Sequence, residues 1–179
     1  NHQLNGNILL EFLFLSAGCL FLYMTGVEDD LIGVRYRKKF FIQFAVASLL
    51  PVSGFYLDNL YGLFGVYILP EYIAIPFTVL LIVFITNAVN LIDGIDGLAA
   101  GGGAFSFLVI GLMFSLKGLW LYSMLAFSAL GCLIPFLYFN VWGRTAKGTK
   151  MFMGDAGALS LGYLLSFLVI KYAVYVSET

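Results

Sequence analysis

The chain has 179 residues, of which 61% are hydrophobic and 11% charged, with a formal net charge of -1 and a mean hydropathy of +0.98. Soluble domains carry roughly 25% charged residues, so an ordinary soluble globule is excluded, and no nucleic-acid partner is expected. One His and two Cys are too few for a His/Cys metal cluster, and no hydrolase triad can be assembled.

The chain opens at Asn1 with no basic stretch or small-residue cleavage site before its first apolar run, which reads as a fragment of a longer protein. His2 falls in a tail and is read as structural. A crossing helix needs roughly 20 apolar residues, and six candidates follow in order: 7–25, 40–57, 73–92, 98–116, 119–139 and 156–176. The second is the weakest, being short and carrying Gln43, Ser48 and Pro51. Cys19 and Cys132 lie inside apolar runs and are expected as packed free thiols. Between the second and third spans, "YLDNLYGLFGVYILPEY" alternates aromatic and aliphatic residues around Gly62 and Gly65, which predicts a short hairpin on the outer face. With no repeat or long linker, residues 1–179 read as a single transmembrane helical unit, an all-α polytopic membrane protein.

Sidedness follows from the basic residues. Arg35, Arg37, Lys38, Lys39, Arg144, Lys147 and Lys150 fall in the first and fifth connections, so by the positive-inside rule the first, third and fifth connections are cytoplasmic. Glu11, Lys117 and Lys171 lie near the outer boundary and are expected to snorkel.

Six of the ten acidic residues then gather on the cytoplasmic side: "EDD" at 28–30, "DGID" at 93–96 and "GD" at 154–155. An ionised Asp in the bilayer centre costs roughly 2.5–3.5 kcal/mol on insertion scales, so such carboxylates need water, a partner or a metal. Magnesium suits them, because it takes oxygen ligands and is usually shared between carboxylates and substrate phosphates. Asn87, Asn90, Asp93 and Asp96, three apart, would line one stripe at the end of the third span. Gly94 and Gly97 allow a turn and close approach, while Gly97 and Gly101 also have the spacing of helix packing. The basic residues beside "EDD" and "MFMGD" fit either anionic lipid or a phosphorylated substrate. Together these clusters suggest a metal-dependent site for a phosphate or diphosphate, where catalysis is positioning plus charge neutralisation.

"EDDLIGVRYRKKFFIQ", "NAVNLIDGIDGLAAG" and "MFMGDAGALSLGYLL", in that order with spans between, resemble the polyprenyl-phosphate N-acetylhexosamine-1-phosphate transferases. The resemblance runs from about residue 20 to the end; family members are about twice this length and carry a histidine-rich loop absent here. It implies transfer of a sugar 1-phosphate from a UDP-sugar to a polyprenyl phosphate with release of UMP. It also implies dependence on magnesium, or manganese in its place, at the cytoplasmic face of a bacterial inner membrane, with a homodimer as one open oligomeric state. By motif, Asp29 and Asp30 match the paired aspartates near the lipid phosphate, with Asp29 deprotonating it. Asp155, together with Asp30, matches the metal-binding role. Asn90, Asp93 and Asp96 match the nucleotide and diphosphate segment, and Asn140, Lys38 and Lys39 are further substrate-binding candidates. One departure stands out: Ala158 replaces the family's usual Ser or Thr after "GDxG". The "DDLIGVRYRKKF" segment is closer to the N-acetylglucosamine branch than to the pentapeptide branch.

The rival reading is an ion- or proton-coupled transporter using the clustered aspartates, although transporter carboxylates usually lie near the midplane. Gly97-Leu98 stand where a CDP-alcohol phosphotransferase pattern needs Ala-Arg, and Gly33-Val34 break a prenyl-synthase "DDxxD".

Overall fold

The computed structural model describes residues 8–63 and 65–178; Asn1, His2 and the start of the first expected span lie outside the described residues. Helix α1 spans Ile8–Ile32, α2 Tyr36–Val52, α3 Glu71–Ile92, α4 Leu98–Leu116, α5 Trp120–Trp142 and α6 Gly154–Glu178. The expected hairpin is present as two antiparallel strands, β1 at Asn59–Leu63 and β2 at Val66–Ile68, and a single 3-10 turn, Thr145–Lys147, precedes α6.

Five of these helices are long and apolar enough to cross a membrane: α1, α3, α4, α5 and α6. The second expected span, α2, has 17 residues, about 25 Å at the α-helical rise, and begins earlier than expected because the basic residues from Tyr36 onward are already helical. α1 likewise runs seven residues beyond its apolar stretch, so "EDD" forms its last turns rather than a loop.

α6 is the hub, packing against α1, α3 and α4, while α4 and α5 form a tight antiparallel pair. The core is aromatic and aliphatic: Leu22, Phe107, Phe114, Leu159, Tyr163 and Phe167 are buried. Large apolar side chains such as Phe21, Phe84, Phe105 and Met124 stay exposed on the outside of the bundle, as expected where hydrocarbon is the solvent. Cys132 is exposed too, contrary to the packed thiol expected, while Cys19 is partly buried.

The helices alternate in direction, so the α1–α2, α3–α4 and α5–α6 connections meet at one end, called here the basic end. The hairpin closes the other, where the Tyr61 hydroxyl donates to the carbonyl of Ala173 near the end of α6. Glu11 and Lys171 do not snorkel. They are buried and paired, the Lys171 ammonium lying 2.8 Å from both Glu11 oxygens. A one-helix argument sent each side chain outward; across the bundle each finds its counter-charge inside. Lys117, at the end of α4, is exposed as expected.

Candidate active site

The site is assembled from helix ends. α1 stops where the Gly33 N–H donates to the Asp29 carbonyl, and the Asp29 side chain accepts the next free N–H, that of Val34, at 2.6 Å. A three-residue turn then starts α2, whose first turn carries Lys39. Lys39 reaches back to the bundle: its ammonium lies 2.8 Å from Asp29 Oδ2, 2.8 Å from Asp155 Oδ2 and 3.3 Å from Asn90 Oδ1. Asn90, in the last turn of α3, also donates its amide to Asp155 Oδ1. Four residues from α1, α2, α3 and α6 thus meet at one point, and the lysine there is 14% exposed.

Asp30, next to Asp29, does something different. Its two oxygens accept the N–H groups of Asp155 at 2.9 Å and Ala156 at 3.2 Å. These are orphan donors at the start of α6, so Asp30 caps that helix from α1, and its negative charge meets the positive end of the α6 dipole. Two glycines allow the approach. Gly154 turns the chain into α6 at φ +66°, with Asp30 lying where a side chain would point. Gly26 brings α1 so close that a Cβ would overlap the backbone of Ala156. The expected sharing of a metal between Asp155 and Asp30 meets this geometry: Asp30 is turned to the α6 backbone, and Asp29 is the carboxylate that faces Asp155 across a common cation.

The polar stripe of the third span divides. Asn87 donates to Gln43 on α2 and to the Val83 carbonyl, an amide pair one helical turn deeper than Asn90 and Lys39. Gln43, a weakness of its span when that span is taken alone, stands four residues from Lys39, the sequence signal that puts both on one face. Asp93 follows the end of α3 and Asp96 lies in the turn before α4, off the helix on which the stripe was drawn. Partial burial first, and then the neighbouring charges of Asp155, Asp30 and Asp96, raise the Asp93 carboxyl above its ordinary value, against a lowering hydrogen bond from the Gly154 backbone.

Asp96 pairs with Lys150 at 2.6 Å, and Lys150 also donates to the Asn140 carbonyl. The Asn140 side chain accepts from Gly97 N–H at 2.6 Å and donates to the Met151 carbonyl at 2.9 Å. It is buried and ties the start of α4 to the segment leading into "MGD", so it acts on the site through backbone. Lys38 pairs with Glu28 at the surface, away from the Lys39 cluster. Ala158 is fully buried on α6, where a methyl group packs without needing a hydrogen-bond partner.

Among the described residues no three His, Cys, Asp or Glu side chains stand close enough to form a closed metal cage. The donors that do converge, carboxylates of Asp29 and Asp155 with the amide oxygen of Asn90, are hard oxygens already gathered around a positive charge. That set fits magnesium, which usually takes one or two carboxylates and leaves the rest of its shell to water and phosphate.

Known proteins resemble this chain in sequence. The chain is 36% identical to a probable undecaprenyl-phosphate N-acetylglucosaminyl 1-phosphate transferase of Bacillus subtilis over 159 residues, 86% of this chain and 42% of that protein. It is 33% identical to a phospho-N-acetylmuramoyl-pentapeptide-transferase of Prochlorococcus marinus over 176 residues, 90% of this chain and 47% of that one. An undecaprenyl-phosphate alpha-N-acetylglucosaminyl 1-phosphate transferase of Yersinia pestis is 29% identical over 164 residues, 89% of this chain and 44% of its own length. The chain therefore spans somewhat under half the length of the curated relatives it matches. The sequence profile of glycosyl transferase family 4 matches residues 12–173, nearly the whole chain and all three motifs. With five helices able to span a bilayer, this multi-pass membrane protein belongs to glycosyl transferase family 4.

Proposed function

We propose that this chain carries the catalytic centre of a transferase that moves a sugar 1-phosphate, of the N-acetylglucosamine type, from a UDP-sugar to a polyprenyl phosphate in the first membrane step of cell-envelope polysaccharide synthesis. The observation that carries this is the meeting of Asp29, Lys39, Asn90 and Asp155 from four helices at one end of an apolar bundle. The lysines and arginines at that end support a cytoplasmic site in a bacterial inner membrane. The names of the relatives support the reaction class and give the transporter reading no support.

In the reaction an oxygen of the lipid phosphate bonds to the β-phosphorus of the UDP-sugar, the bond from that phosphorus to the bridging oxygen breaks, and UMP leaves with that oxygen. A magnesium ion, or manganese, held by Asp155 and Asp29 with Asn90 beside them, would neutralise charge on the diphosphate. Asp30 fixes the direction of Asp155 through the α6 cap. Asp93 and Asp96 face the nucleotide and diphosphate, while Lys39 offers its ammonium group to phosphate oxygens; Lys38 pairs with Glu28 at the surface and takes no part. Asp29 accepts the remaining proton of the lipid phosphate. A phosphate monoester has its second pKa near about 6, so at neutral pH little basicity is required, and a carboxylate suffices.

The test is UMP release from UDP-N-acetylglucosamine in membranes expressing the full open reading frame, with undecaprenyl phosphate and magnesium. Release should require lipid and metal, and Asp155→Asn should lower it by more than the roughly 10–100-fold that loss of an outer-shell partner costs a metal site. Asp29→Asn should lose more activity at pH 5.5 than at pH 8, because the lipid phosphate is largely monoanionic only at the lower value. Turnover within a few-fold of wild type in both variants would overturn the assigned roles.

A further inference from the structure

Lys39 occupies the position where the oxygen donors of the site converge. An ammonium group has three hydrogens to donate, and here three acceptors, Asp29 Oδ2, Asp155 Oδ2 and Asn90 Oδ1, stand within 3.3 Å of it. Two other lysines near the site are placed differently: Lys38 meets Glu28 at the surface, and Lys150 meets Asp96 and the Asn140 carbonyl. Without Lys39, Asp29 and Asp155 would face each other as neighbouring carboxylates with no cation between them.

A divalent cation bound by Asp29 and Asp155 would need the space and the lone pairs that the Lys39 ammonium holds. Like charges do not share such a spot in a partly desolvated cluster. We infer that Lys39 is a resident counter-ion that a divalent cation displaces, and that the displaced ammonium is then free to turn to the phosphate oxygens of the incoming diphosphate. The inference rests on the proposed metal and diphosphate site. It adds an order to it: cation entry releases the lysine, so metal and diphosphate bind cooperatively even before any chemistry. A flexible four-carbon stem suits this exchange, since the ammonium is a compact point charge that can move without moving α2.

The experiment measures Mn2+ binding to the purified full-length protein in detergent, without lipid or nucleotide, by the loss of the free-ion electron paramagnetic resonance signal. Lys39→Met should bind Mn2+ at least 10-fold more tightly than wild type. Lys39→Arg should not, and Lys38→Met and Lys150→Met should change affinity by less than 3-fold. UDP binding should strengthen with Mn2+ in wild type and lose most of that gain in Lys39→Met. Wild-type or weaker Mn2+ affinity in Lys39→Met, or an equal gain in all three methionine variants, overturns the inference; equal gains would mean a general field effect without displacement. If Lys39→Met is too unstable to purify, its Mn2+-induced rise in melting temperature is read in membranes, where a shift no larger than that of wild type also overturns it. Asp155→Asn separates the two readings. If it leaves Mn2+ affinity intact, the metal site itself is wrong; if it weakens binding while Lys39→Met fails to tighten it, only the displacement is wrong.

Discussion

Two clusters of charge lie at opposite ends of the same helix pair, α1 and α6, and they are built to different plans. At the hairpin end Glu11 and Lys171 match one to one, with side chains 3% and 4% exposed. The Tyr122 hydroxyl adds a 3.2 Å hydrogen bond to Glu11, and the Lys171 ammonium sits 5.4 Å from the Phe55 ring centroid and 5.3 Å from that of Tyr122. This pair is closed in by burial, with aromatic rings beside the ammonium and the Tyr122 hydroxyl on the carboxylate. At the basic end Lys39 is shared by two carboxylates, and among the described residues no lysine or arginine lies within ion-pair distance of Asp30 or Asp93. That cluster has carboxylate to spare and opens to solvent, Asp96 being 52% exposed. Burial with charge balance makes a strut; partial burial with excess negative charge suits the cation site proposed above.

The largest expected effect follows from breaking the strut. Removing one partner of a buried ion pair costs about 3–5 kcal/mol, whereas replacing both with apolar groups of similar size is often neutral. Lys171→Met or Glu11→Gln alone should therefore lower the melting temperature in detergent sharply, and the double variant Glu11→Leu/Lys171→Met should recover most of it. The double variant should also keep UMP release within a few-fold of wild type, since neither residue touches the site. Strong loss of activity in a well-folded double variant would mean that the two ends are coupled, and the division into strut and site would fail.

Asp30 comes next, because it belongs to both plans: it stands in the open cluster but performs a structural task. Loss of an N-cap costs roughly 0.5–2 kcal/mol, so Asp30→Ala should destabilise by about that amount. It should also lower activity, since the α6 start it caps carries Asp155. Asp30→Asn keeps an oxygen acceptor and should regain much of the stability. If Asp30→Asn is stable yet inactive while Mn2+ binding falls as far as in Asp155→Asn, Asp30 touches the metal directly, and its assignment to the cap is incomplete.

Much of this was legible in the sequence, and the rest was hidden for a physical reason. Apolar runs near the bilayer length gave the long helices, because hydrocarbon thickness sets that length whatever the tertiary fold. The three motifs supply residues that meet at one end of the bundle, where Asp29, Asn90 and Asp155 surround Lys39. The difference between Asp29 and Asp30 was not legible: neighbours on a helix point about 100° apart, and only the positions of α2 and α6 decide which faces Lys39 and which caps a helix. Gln43 looked like a flaw in a span until Asn87 appeared opposite it. Glu11 and Lys171 are 160 residues apart, and nothing local to either shows that they meet. Sequence pattern reports what one helix must do with its solvent; pairing between helices is a property of the assembled bundle.

The smallest effect tests the excess charge itself. The Asp93 carboxyl is raised by burial and by Asp155, Asp30 and Asp96, so its charged form is less favourable in the folded protein than in the unfolded chain. A folded-state value above the unfolded one means that ionised Asp93 lowers stability at neutral pH, and that this penalty fades as pH falls through the folded value toward the ordinary Asp value of about 3.9. Asp93→Asn should thus raise the melting temperature slightly at pH 7.5, with the gain shrinking toward pH 4.5, even as UMP release drops. A magnesium-loaded protein should show less of the gain, because bound cation relieves the same repulsion. If Asp93→Asn is instead less stable than wild type at pH 7.5 and equal to it at pH 4.5, the hydrogen bond from Gly154 outweighs the repulsion. The basic end would then be as nearly balanced as the hairpin end, without the spare negative charge that a cation site requires.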